Sequence, residues 1–166
     1  QGFAQVKGRL DGFEERLAPA TASENSAVSL RAFVGVKRRF EHWGTVSGVE
    51  IVHDYAHHPT EVRATISAAR RALPGRPLHV LFQPHQHSRT ARFLDEFVSS
   101  FRGVESVVVA DVYGARNHID AQSAGAEELA AGLRASGVRA EAAGPLDASR
   151  ALFESRLHGG EEIGRA

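Results

Sequence analysis

The stretch Val49-Glu-Ile-Val-His53-Asp-Tyr-Ala-His-His-Pro59, with Val62, Ile66, Ala69 and Leu73 after it, decides the fold. Val49 to Val52 is a short apolar run that reads as a strand. Pro59 suits the first position of a helix, where a backbone N–H has no partner to lose. The four apolar residues beyond it recur at helical spacing, and Pro74-Gly75 ends the run. A strand that passes through a polar turn into an amphipathic helix is the opening of an alternating α/β pattern.

The same unit recurs downstream. Leu78 to Phe82 is a second strand, with a polar segment from Gln83 to Thr90 and a helical stripe of Leu94, Phe97, Val98 and Phe101 behind it. Val107 to Ala110 is a third strand, and Ala126, Leu129, Ala130 and Leu133 form the next helical face. Val138 to Ala142 reads as a weaker strand, and Leu146 to Leu157 as a last helix that Asp147 helps to cap. The expected fold is α/β, a Rossmann-like, mostly parallel sheet with helices on both faces. Upstream, residues 1–25 read as a lead-in or linker, 26–157 as the α/β domain, and 158–166 as a flexible, glycine-rich tail.

Polar chemistry collects in one kind of place. In an open parallel sheet, ligands bind beyond the carboxyl ends of the strands. Each of the first three strands is followed at once by a dense cluster: His53/Asp54/Tyr55/His57/His58, then Gln83/His85/Gln86/His87/Ser88/Arg89, then Asp111/Tyr113/Arg116. Ordinary turns need a turn residue and a cap, so three rich turns on one edge point to a site. A separate run, Lys37-Arg38-Arg39, has the guanidinium chemistry of an anion clamp, although taken alone it reads slightly better as a solvated charged face. Phe40 and Trp43 beside it read as packing residues. Five histidines in the clusters invite a metal, but His57 and His58 are adjacent and diverge at a helix entrance. No helical His-x-x-x-His pair or Glu-x-x-His pair accompanies them, so no metal site is expected.

Composition narrows the rest. The 166 residues contain 20 Lys plus Arg and 20 Asp plus Glu, so the formal charge is zero and no nucleic-acid surface is expected. Cysteine is absent, which removes disulfides, thiolate metal sites and cysteine nucleophiles. No apolar run approaches the ~18 residues of a membrane span, and a cytoplasmic setting without membrane contact is expected. Neither a Gly-x-Ser-x-Gly elbow nor a Gly-x-x-x-x-Gly-Lys-[Ser/Thr] loop is present, so this chain does not cradle a triphosphate in the P-loop manner. Methionine is absent even at position 1, and the chain is read as a piece of a longer protein.

Four motifs stand in order: Phe33-Val-Gly-Val-Lys-Arg-Arg-Phe-Glu41, His53-Asp-Tyr-Ala-His-His-Pro-Thr-Glu61, Phe82-Gln-Pro-His85 with Ser88-Arg-Thr90, and Asp111-Val-Tyr113. Together they resemble the C-terminal domain of the Mur ligases of peptidoglycan synthesis, over about Ser26 to Leu157. Asp-Tyr-x-His-x-Pro is shared across Mur and folylpolyglutamate ligases. The doubled His-His-Pro-Thr-Glu with Phe-Gln-Pro-His is similar to the alanine-adding members.

The resemblance implies a ligase that uses ATP and Mg2+ to join L-alanine to UDP-N-acetylmuramate through an acyl phosphate. The N-terminal and central P-loop domains would lie outside this chain, which alone is expected to be inactive. By the same resemblance Arg39 reaches ATP and Asp54 hydrogen-bonds the ribose. His57, His85 and Arg89 lie near the alanine and the muramoyl end, where Tyr55, His58 and Gln86 line the pocket. The sequence departs from the family at Gln86-His87-Ser88, where Arg-Tyr-Thr is frequent, and at His53, where Asp is common. Two other readings stand beside it: a ligase that recycles a tripeptide onto the same sugar acid, and a non-catalytic nucleotide- or precursor-binding domain.

Overall fold

The computed structural model describes residues 2–6, 38–46, 48–114 and 124–158. Its strands are β1 (Gly2–Val6), β2 (Glu41–Val46), β3 (Val49–Asp54), β4 (Leu78–Phe82), β5 (Ser106–Val109) and β6 (Arg139–Ala142). Its helices are α1 (Pro59–Ala72), α2 (His87–Arg92), α3 (Leu94–Ser100), α4 (Ala126–Ala135) and α5 (Leu146–His158). Lys37 of the cationic run, Arg116 and the tail beyond His158 lie outside the described residues.

The sheet order is β2-β3-β1-β4-β5-β6. β4, β5 and β6 are parallel neighbours. β1 pairs antiparallel with both β3 and β4, so β3 runs in the same sense as β4. Four strands thus point one way, and the carboxyl ends of β3, β4 and β5 share an edge. The α/β architecture is the one expected.

Three features differ from the sequence reading. Gly2–Val6, assigned there to a lead-in, forms a strand inside the sheet; five residues bounded by glycine and a lysine-glycine pair carry too short a pattern to announce a pairing made across long sequence separation. Glu41–Val46 is an edge strand, mostly exposed and shifted in register between His42 and Gly44, so no buried alternation marks it. The polar segment after β4 is helical from His87, with a break at Phe93 that separates α2 from α3.

Alternation along the strands divides the core. Leu78, Val80 and Phe82 of β4 and Val107 and Val109 of β5 face α1, α3 and α4, meeting Ile66, Phe97 and Leu129 among others. Phe82 sits with ring centroids 5.6 Å from Phe97 and 5.3 Å from Phe101. Leu81 and Val108 point to the opposite face and pack on Phe153 of α5. Helices therefore cover both faces, and the strand ends, held by this core, are rigid platforms for the turns that follow them.

Candidate functional site

The turn after β3 is built on a buried carboxylate. Asp54, 7% exposed, accepts the backbone N–H of Ala56 at 2.7 Å and that of Phe40 at 2.8 Å. Tyr55 N–H donates to the carbonyl of Arg38 at 2.7 Å. These bonds clamp the 38–40 turn onto the exit of β3. Arg38 and Phe40 both adopt positive φ, 63° and 47°, a conformation L-residues enter at some cost and keep only when the surroundings impose it.

α1 begins with a reciprocal cap. The His58 ring accepts from Thr60 N–H, Pro59 occupies the first turn, and Glu61 accepts the N–H groups of His57 and His58 at 3.0 and 3.2 Å. The second Glu61 oxygen receives Arg39 Nη1 at 3.3 Å. The Nδ1 atom of His57 lies 3.1 Å from the Tyr55 carbonyl and 3.3 Å from the Glu61 carboxylate. Two oxygen acceptors at one ring nitrogen assign the proton to Nδ1 and leave Nε2 the lone-pair nitrogen. Desolvation acts to raise the Glu61 pKa, but the His57 amide, the His57 ring, Arg39 and the His58 amide outweigh it, and the group is held below its ordinary value.

The turns after β4 and β5 meet each other. His85 and Tyr113 form a parallel backbone bridge, with Gln86 N–H donating to Tyr113 O at 3.2 Å and Tyr113 N–H donating to Pro84 O at 2.8 Å. Buried Gln83 adds a side-chain bond to the Asp111 carbonyl at 3.1 Å. Gln86, at φ 65° and ψ 124°, is a further non-glycine residue at positive φ, and it stands at the entrance of α2.

These turns assemble a row. Tyr55 and His57 have centroids 5.3 Å apart, Tyr55 and His85 5.8 Å, His57 and His85 5.8 Å, and His85 and Tyr113 5.0 Å. Burial lowers the His85 pKa, and the Arg89 guanidinium acts in the same direction, which favours the neutral imidazole. The structure thus joins Tyr55, His57 and His85 directly, with Arg39 tied in through Glu61 and Arg89 placed on α2 close enough to act on His85.

The His58 ring packs edge-on against Phe93 at 5.0 Å while capping α1, and the Gln86 side chain is exposed. His87 ties α2 to the carbonyl of Ala124 at 3.2 Å. His53 is buried under Trp43 with ring centroids 4.5 Å apart, on the β2–β3 hairpin. Among the described residues no three His, Cys, Asp or Glu side chains converge to hold a metal ion.

Two residues of the site were not assigned roles by sequence reasoning. Glu61 was quoted only as the end of a motif; its signal is its place three residues after the helix cap. Tyr113 was seen in a cluster and given no role; its signal is its position just past the end of β5.

Comparison with known proteins bears on this edge. The family model described as Mur ligase, glutamate ligase domain, matches residues 38–158. A UDP-N-acetylmuramate–L-alanine ligase of Salinibacter ruber is 52% identical over 87 residues, 52% of this chain and 18% of the relative. Ligases of the same name from Desulfitobacterium hafniense and Clostridium acetobutylicum are 38% and 37% identical over 85% and 96% of this chain. The chain spans only 31% and 34% of those two relatives. A crystal structure of UDP-N-acetylmuramate-alanine ligase from Thermotoga maritima shares the fold, with a TM-score of 0.57 at 21% identity over 83% of this chain and 34% of that one. With its site edge and both core faces inside the matched range, the chain belongs to the Mur ligase family, as a C-terminal ligase domain.

Proposed function

We propose that this chain is the C-terminal domain of an ATP-dependent ligase that joins L-alanine to UDP-N-acetylmuramate. The observation that carries the proposal is the row of Tyr55, His57, His85 and Tyr113 at the carboxyl edge of a sheet whose relatives bear that ligase's name. In this reading the muramoyl carboxylate is activated as an acyl phosphate at the expense of ATP, and the alanine amine displaces phosphate to form the amide.

The residues fit distinct tasks. Arg39, about half exposed and oriented by Glu61, presents a guanidinium to the phosphate charge that develops during transfer. Arg89 pairs with the alanine carboxylate and so turns the amine toward the acyl carbon. Neutral His85 and the Nε2 atom of His57 are lone-pair acceptors suited to the ammonium proton that must leave before the amine attacks. Asp54 combines two duties: backbone amides take two of its roughly four lone-pair sites, which leaves capacity for ribose hydroxyls. The Mg2+ ligands and the triphosphate cradle belong, in this reading, to domains outside this chain.

The test is phosphate release by the full-length protein that contains this chain, with UDP-N-acetylmuramate, ATP and Mg2+. L-alanine is compared with the L-alanyl-D-glutamyl-diaminopimelate tripeptide as acceptor. Alanine-dependent release supports the proposal. Tripeptide dependence replaces it with a recycling ligase, and no release with either acceptor overturns it.

A further inference from the structure

Glu61 does more than cap a helix. Its two oxygens divide their partners between two parts of the site: Oε1 receives Arg39 Nη1 at 3.3 Å, while Oε2 receives the amides of His57 and His58 and stands 3.3 Å from His57 Nδ1. The backbone on either side of Arg39 is independently fixed. Arg38 accepts from Tyr55 N–H, Phe40 N–H donates to Asp54, and Arg38 N–H donates to Glu41 at 2.9 Å. With its main chain held at two points, Arg39 keeps only side-chain freedom, and Glu61 is the group that restrains it. The same carboxylate helps keep the proton of His57 on Nδ1, and therefore helps keep Nε2 an acceptor.

We propose that Glu61 is a positioning residue that couples the two halves of the site, aiming Arg39 at the nucleotide and fixing the ring orientation and tautomer of His57 at the amine. This role rests on the ligase reading above. It predicts that losing only the charge of Glu61 releases Arg39 while His57 stays held, and that losing the whole carboxylate disturbs both halves.

Glu61→Gln separates the two duties. Glutamine retains one oxygen for the His57 and His58 amides, as capping boxes use Glu or Gln interchangeably. Its amide NH2 group then meets the Arg39 guanidinium donor to donor, which releases the arginine. The measurement is steady-state phosphate release by the full-length protein, with KM for ATP and for L-alanine determined separately, beside a thermal melt of the same variant. The expected result is an unchanged melt with a rise of about fivefold in KM for ATP and little change for alanine, since the retained oxygen still accepts from His57 Nδ1; Glu61→Ala, which removes both oxygens, should raise both. On the background of Arg39→Ala, Glu61→Gln should raise KM for ATP no further, because the partner through which it acts is gone.

Unchanged KM values in the single variant, or additive effects in the double one, overturn the coupling and leave Glu61 a helix cap. A wild-type protein that releases no phosphate with alanine overturns the ligase reading instead, and this role with it.

Discussion

The substitution Asp54→Asn probes the junction that holds the site together, and its cost can be worked from two hydrogen bonds. The native carboxylate accepts Ala56 N–H in a buried setting and Phe40 N–H in a half-buried one. Bonds to a charged acceptor contribute about 1.5–3 kcal/mol each. Asparagine keeps one oxygen, so one bond survives in weaker, neutral form. The other N–H faces an NH2 group and is left unsatisfied, at about 1–3 kcal/mol. The sum is a destabilisation of about 2–4 kcal/mol. Urea unfolding of the 166-residue chain measures it, followed by circular dichroism and by the fluorescence of Trp43, the single tryptophan. Trp43 lies over His53 on the strand next to the clamp, so its signal should change ahead of the far side of the sheet. A loss below about 0.5 kcal/mol refutes the reasoning, since surface substitutions alone reach that size. One practical result follows for enzymology. Under the proposed ligase reading, loss of activity in an Asp54 variant would report on nucleotide binding only after this structural cost has been measured and set aside.

Two further outcomes are expected. His53 and His85 are both held below the ordinary histidine value of 6.5, burial being the first cause for each; the unfolded chain therefore binds more protons below that value, and stability should fall as pH drops through 6.5 toward the folded-state values, with a shallower slope in His85→Gln, whereas a urea midpoint that is flat or rises on acidification refutes the burial argument. Leu129→Ala removes a fully buried side chain where α4 meets the sheet and should cost about 3 kcal/mol by urea unfolding, against a negligible change for the same substitution at an exposed position.

The parts of this fold that are legible in the sequence are those whose signals are local. β3 and α1 announce themselves through an apolar run, Pro59 at the helix entrance and an apolar stripe that ends at Pro74-Gly75. β4 and β5 carry equally plain runs because both faces of the sheet bury them, and α4 carries an apolar stripe on the side it turns to the sheet. β1 has no such signal, as its pairing partners lie about fifty and seventy-five residues away. β2 is hidden for another reason: an edge strand with Gly44 in it, exposed on most positions, shows no alternation. Within the site, clustering at strand ends was enough to find Tyr55, His57 and His85. The clamp at Asp54 and the junction at Glu61 were not visible, because both are made with backbone amides, and a sequence does not say which amides a carboxylate will meet.

The row of rings has a further consequence within the proposed ligase reading. Each of its turns leaves a strand end fixed by the core, and the turns are stitched to one another through the His85–Tyr113 bridge and the Gln83 bond to Asp111. The row therefore acts as a ruler with fixed graduations, its rings 5.0 to 5.8 Å apart. The row ends in Tyr113, which is 61% exposed. In the proposed ligase reading, an acceptor lying along the row would meet its open end there, and Tyr113 rather than the histidines is the position at which a change of acceptor would be sought.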